Sequence, residues 1–165
     1  MMYDFNAGEV FKMAVRIEEG GAAFYRKAAE LQSDEENKKF LEKLAAMEDT
    51  HRSSFLKMSD DVLEAETTEQ VFDPDGEAEL YLAAMVDGHG GEGSPAAADA
   101  LTGKETMEDI LKIAIGLEKE SILFYLGIKD MVPPNLGKDK VDSIIEEERR
   151  HVIQLSGLLK KIKGA

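Results

Sequence analysis

The chain has 165 residues, enough for one domain with a sizeable core, and its 43% hydrophobic and 33% charged residues suit a mostly helical globular protein. Its formal net charge of −14 argues against nucleic acid and anionic membranes as partners and describes a solvated acidic surface. The absence of cysteine removes disulfides, thiolate zinc sites, iron–sulfur clusters and a rubredoxin-type iron centre together. The opening "MMYDFNAGEVFKM" has no basic start followed by an apolar run, so no export signal is read. No segment approaches the roughly 20 apolar residues of a membrane span, and a cytoplasmic location is expected.

The pattern predicts four long helices. The first covers about residues 7–31, with Val10, Ala14, Ile17, Gly21, Phe24, Ala28 and Leu31 spaced three and four apart, and Asn6 with Glu9 as a capping box. "SDEE" breaks and restarts the helix, with Ser33 as N-cap and Glu36 three residues on. The second helix, to residue 58, carries Phe40, Leu44, Met47, Phe55 and Met58. A connection follows over 59–105. It contains a short helix at 76–86, fed by the turn "DPDG", which lacks the later ligands of a calcium loop. The remainder, 87–105, reads as a glycine-rich loop in which His89 is solvated. The third helix starts near Thr106, carries Ile110, Ile113, Leu117, Phe124 and Ile128, and stops at "VPPNLG", where consecutive prolines cannot continue it. The fourth covers 138–162, with Gly164 as C-cap.

The chain repeats itself at an offset of 100 residues. Glu18 and Tyr25 match Glu118 and Tyr125; Glu48 and His51 match Glu148 and His151. Two of the three histidines obey the pattern, so the chain reads as two related helical hairpins, 7–58 and 106–163, joined by a crossover within a single domain, 1–165. One Glu-x-x-His in so acidic a chain says little. Two, each preceded by a matching Glu-x6-Tyr helix, say much more.

Residues three apart are neighbours on one helix face, so Glu48 and His51 can reach one metal ion, as can Glu148 and His151. Tyr25 lies two turns along from Glu18 on the same side, and Tyr125 stands likewise to Glu118. With these faces inward, four carboxylates and two imidazoles meet in the middle of a bundle. That is a dinuclear carboxylate ligand set: one Glu from each of two helices and Glu-x-x-His from each of the others. Without cations, four buried carboxylates would cost several kcal/mol apiece. Tyr25 and Tyr125 read either as core aromatics with a buried hydroxyl partner or as groups that bond the ligands or carry an electron. Glu19, Glu120, Glu146 and Glu147 sit off the repeat or the ligand face and read as solvated. Met13, Met47, Met58 and Met131 read as core filler.

On Glu18, Tyr25, Glu48/His51, Glu118, Tyr125 and Glu148/His151 the sequence resembles the rubrerythrin branch of the ferritin-like family over nearly its whole length. The resemblance implies an all-α, ferritin-like four-helix bundle holding two iron ions. Glu18 and Glu118 would be terminal ligands, Glu48 and Glu148 would bridge, and His51 and His151 would give one imidazole to each iron. Two departures matter. Full-length rubrerythrins carry a cysteine-ligated rubredoxin domain, absent from this sequence, and an extra glutamate one turn beyond the third-helix ligand, where this chain has Ser121. The first removes the built-in electron donor; the second puts a redox-linked shift of one iron in doubt. Manganese or zinc would also suit these ligands. Metalloprotease chemistry is not expected, because His-Glu-x-x-His is missing.

The repeat implies a pseudo-two-fold axis across the bundle, so the third helix should start at the end opposite to where the second finishes. A connection of that length also permits hairpin exchange between two chains, and a homodimer, swapped or not, is expected. Three functions compete: reduction of hydrogen peroxide with electrons from an external donor such as rubredoxin or a flavoprotein reductase, iron oxidation with dioxygen or iron handling of the ferritin kind, and a metal-binding module with little turnover.

Overall fold

In a computed structural model of the chain, residues 7–64, 80, 96–130, 132 and 137–164 are described. Four long helices, α1 (Ala7–Glu30), α2 (Glu35–Glu64), α4 (Met107–Lys129) and α5 (Lys138–Ile162), are joined by a single-turn α3 (Ala96–Asp99). The described residues contain no strand.

Local chemistry sets most of the ends. Thr106 and Asp109 close a reciprocal capping box at the start of α4: the threonine hydroxyl accepts from the Asp109 N–H, and the aspartate accepts from the Thr106 N–H at 3.0 Å. Past α5, Gly164 takes φ +72°, the left-handed conformation expected of it. Two boundaries differ from the sequence reading. Asp34, not Ser33, caps α2, its carboxylate accepting the Asn37 N–H at 2.8 Å. And α2 continues past residue 58 to Glu64, because "SDDVLE" holds neither glycine nor proline to stop it and Ser59 is itself buried. Asn6 and its capping box, Met131, the 73–76 turn, His89, and the 76–86 helix apart from helical Leu80 lie outside the described residues.

The interior has two apolar clusters. One joins Val10, Phe11 and Ala14 of α1 to Phe55 of α2, Phe124, Tyr125 and Ile128 of α4, and Val141, Ile144 and Ile145 of α5. The other joins Phe24, Tyr25 and Ala28 to Leu41, Leu44 and Ala45, then to Ile110, Leu111, Ala114 and Leu155. Adding 100 to the α1 and α2 residues just named gives members of the other cluster. The two-fold axis therefore crosses the bundle and exchanges its ends. Helices α1 and α5 start in the first cluster, whereas α2 and α4 finish there. The chain thus leaves α2 at one end and enters α4 at the other, which is the crossover that the repeat implied.

Full burial of side chains such as Phe11 or Phe124 contributes about 1.5–3 kcal/mol each. The layer between the clusters is the reverse. Glu18, Glu48, His51, Glu118, Glu148 and His151 fill it, all of them buried.

The turn into α5 yields a stability prediction. Gly137 has φ +109°, where side chains are strained, and a Cβ there would lie 2.5 Å from Met58 Sδ and 3.1 Å from its Cγ. Gly137→Ala should lose about 1–3 kcal/mol in urea melts. Gly116→Ala, within α4 and with nothing within 4 Å of the new methyl, should gain about 0.5–1 kcal/mol. Equal midpoints for the two variants would contradict this account.

Candidate metal centre

Each long helix turns its polar ligand candidates inward from the stripe that carries its apolar residues. Helix α1 supplies Glu18, α2 Glu48 and His51, α4 Glu118, and α5 Glu148 and His151. Glu148 and His151 are fully buried, and the most exposed of the six reach only 4%. The imidazoles face each other across the layer with ring centroids 5.8 Å apart and planes at 22°.

Both histidines point Nδ1 at the carboxylates. His51 Nδ1 lies 2.9 Å from Glu148 Oε1, 3.4 Å from Glu18 Oε2 and 3.7 Å from Glu48 Oε2. His151 Nδ1 lies 2.8 Å from Glu148 Oε2, 3.4 Å from Glu48 Oε1 and 3.5 Å from Glu118 Oε1. Two four-residue groups result, Glu18/Glu48/His51/Glu148 and Glu48/Glu118/Glu148/His151, each with its ligand atoms within 4.8 Å of one another. Glu48 and Glu148 belong to both. The structure brings together all six of the glutamates and histidines that obey the repeat.

The donor set fits divalent cations. Glu18 Oε2, Glu48 Oε1, both Glu148 oxygens and both Nδ1 atoms are buried and lack a hydrogen-bond partner, though several lie close together. Groups left so would cost about 1–3 kcal/mol each. Cations shared by oxygen and imidazole nitrogen would satisfy them at once, and iron, manganese and zinc all accept this set.

The tyrosines resolve into ligand partners, and they do so crosswise. The Tyr125 hydroxyl donates to Glu18 Oε1, and the Tyr25 hydroxyl donates to Glu118 Oε1. Each thus holds the carboxylate from the other repeat, and Glu18 keeps Oε2 turned toward His51. Burial, reinforced by the glutamate charges, raises both phenols above their ordinary range, so they stay protonated donors.

Without cations the cluster balances its charge internally. Burial, with the Glu48 and Glu148 charges, raises Glu18 and Glu118 well above the usual carboxylate range. Burial also opposes ionisation of Glu48 and Glu148, but contacts with the two imidazoles outweigh it; Glu48 is lowered and Glu148 falls to about 2. Burial likewise opposes imidazolium formation, yet the carboxylates win, raising His51 and pushing His151 up to about 12. The contacts thus favour imidazolium at His51 and His151 and carboxylate at Glu48 and Glu148, while burial favours the protonated forms of Glu18 and Glu118.

One residue here was misread from sequence. Glu147, taken there as solvated, is about one-third exposed and accepts a hydrogen bond from His51 Nε2 at 2.9 Å. The missed signal was general chemistry: a ligand imidazole needs a partner on its outer nitrogen, and the residue beside a shared glutamate faces the neighbouring helix. The other acidic neighbours behave as expected. Glu19 pairs at the surface with Arg52 at 2.7 Å, Glu146 pairs with Arg149, and Glu120 is exposed. The Ser121 hydroxyl donates back to the Leu117 carbonyl at 3.1 Å and takes no part in the cluster.

No family model and no curated protein matches the chain. A crystal structure of a protein from Thermotoga maritima, provisionally named as a ferritin-like diiron-carboxylate protein, is similar with a TM-score of 0.67 and 26% identity. The similarity spans 97% of this chain and 98% of that one. Among the described residues no helix is long and apolar enough to cross a membrane. The chain has the ferritin-like fold, and the buried glutamate–histidine cluster at the middle of its bundle fits a di-iron site.

Proposed function

We propose that the protein is a rubrerythrin-like di-iron peroxidase, reducing hydrogen peroxide to water with electrons from an external donor. The observation that carries the reading is the sharing of Glu48 and Glu148 between two ligand groups, with their buried oxygens otherwise unpartnered. A pair of ferrous ions, if held there, would supply the two electrons with which hydrogen peroxide and two protons become two waters. Glu48 and Glu148 would hold the two positions side by side, and His51 and His151 would complete one position each. Tyr25 and Tyr125 fix the outer carboxylates and keep them from swinging onto the shared oxygens. The two apolar clusters above and below shut bulk water out of the layer.

Turnover needs both electrons back. The sequence holds no cysteine and so no thiolate iron–sulfur relay, which points to a docking donor such as rubredoxin or a flavoprotein reductase. The test is anaerobic. Ferrous-loaded protein is mixed with hydrogen peroxide or with air, and oxidation is followed by absorbance. Faster oxidation by peroxide supports the proposal. Faster oxidation by dioxygen would replace it with iron oxidation of the ferritin kind, and no reaction with either would leave a metal-binding module.

A further inference from the structure

The repeat that makes the two halves of the centre alike fails at one position. His51 Nε2 donates to Glu147, but the equivalent nitrogen, His151 Nε2, is buried with no hydrogen-bond partner among the described residues. The residue at the Glu147 position of the other hairpin is Met47, half-buried, whose thioether is at best a weak acceptor. An imidazole whose outer N–H is held by a carboxylate has its ring orientation and tautomer fixed and its inner nitrogen made more basic. His51 has that support and His151 does not.

We infer that the two metal positions are unequal, the one completed by Glu18 and His51 filling first because Glu147 is its positioning residue. The inference rests on the dinuclear reading above and deepens it. Outer-shell partners of a ligand histidine are worth about 10–100-fold in metal affinity, so the two positions should differ by a factor of that order. Repulsion between two cations separates any pair of binding steps, but it cannot choose which position fills first. The Glu147 contact makes that choice.

The test uses zinc or cobalt(II) with the full chain and needs no turnover. Protein crystallised with one equivalent of metal should show anomalous scattering beside Glu18 and His51. In titrations, Glu147→Ala should weaken the tight step about 10–100-fold and leave the weak step unchanged, while the metal-free protein melts lower because buried His51 Nε2 loses its acceptor. Glu147→Gln, whose carbonyl can still accept from Nε2–H, should retain part of the tight step. Met47→Glu, which offers His151 the missing acceptor, should tighten the weak step and narrow the gap. Equal occupancy at one equivalent, or first occupancy beside Glu118 and His151, would overturn the inference while leaving a dinuclear site in place. So would a tight step indifferent to Glu147→Ala. Failure of the unaltered protein to bind either metal would overturn the site itself.

Discussion

Glu148→Ala is expected to cost the protein both metal ions, whereas Glu18→Ala costs it one. Glu148 offers one oxygen to each half of the centre, lying 2.9 Å from His51 Nδ1 on one side and 2.8 Å from His151 Nδ1 on the other. Truncating it deletes a ligand from both groups, so each ion should be weakened by more than about 100-fold, the upper end for a mere outer-shell partner. Glu18 belongs to one group only. Metal-to-protein ratios after dialysis should read near zero for Glu148→Ala and near one for Glu18→Ala, against two for the unaltered chain. Two ions retained by Glu148→Ala would refute the shared-ligand geometry. Stability should divide differently. Glu148→Leu takes from the metal-free bundle the carboxylate that both imidazoles face and should destabilise it by about 3–5 kcal/mol, the usual cost of removing one partner from a buried ion pair. The unaltered protein should melt lower after chelation, by the equivalent of about 2.7 kcal/mol where metal had stood at a hundred times its Kd.

The second large effect is on pH. Metal-free protein should be most stable near pH 5 and should lose stability steadily as pH rises toward 9. His51 and His151 have folded values raised above the ordinary 6.5, His151 to about 12, so their contribution is complete below 6.5 and is lost as pH climbs through the folded values. Glu18 and Glu118 are also raised, and their contribution fades above 4.5. Glu148, lowered to about 2, works oppositely: its contribution is present above 4.5 and is lost as pH falls toward 2. The slope on the alkaline side should be on the order of 1 kcal/mol per pH unit for each titrating group. Metal should flatten the curve. Divalent cations would displace protons from the raised imidazoles and carboxyls, so loading should release protons and tighten as pH rises. Thermal melts of chelated and loaded protein from pH 5.5 to 9, with proton release measured in weakly buffered solution, check both signs. A metal-free melting point that rises across this range would contradict the charge pairing.

The six residues of the buried cluster were legible because one regularity carried both the fold and the candidate site. The 100-residue offset relates Val10 to Ile110 and Leu44 to Ile144 as core positions, and Glu48 to Glu148 and His51 to His151 as site positions. A pattern that satisfies two constraints at once is hard to produce by chance. Contacts between helices were less legible. The Glu-x6-Tyr spacing places Tyr25 and Glu18 on one helix, yet the Tyr25 hydroxyl reaches Glu118, because antiparallel packing about the axis brings the other repeat's carboxylate to it. Glu147 was missed for the same reason: periodicity along α5 says where its side chain leaves the helix, not that His51 of α2 waits there. Local choices between near-equivalent caps, Asp34 over Ser33, were also beyond the pattern, since both side chains can accept from a free N–H.

The exchange of the two core clusters by the axis has a mechanical meaning. Neither hairpin owns a core: Phe11 and Phe55 of the first close against Phe124 and Ile144 of the second, and the opposite end is built the same way. Neither hairpin owns a cation position either, since each ligand group takes residues from both. A bound ion is thus a rivet driven through the seam between the halves, and it strengthens their union rather than either half alone. The two hairpins cannot part while an ion keeps its full set of ligands, so the centre and the bundle hold or fail as one.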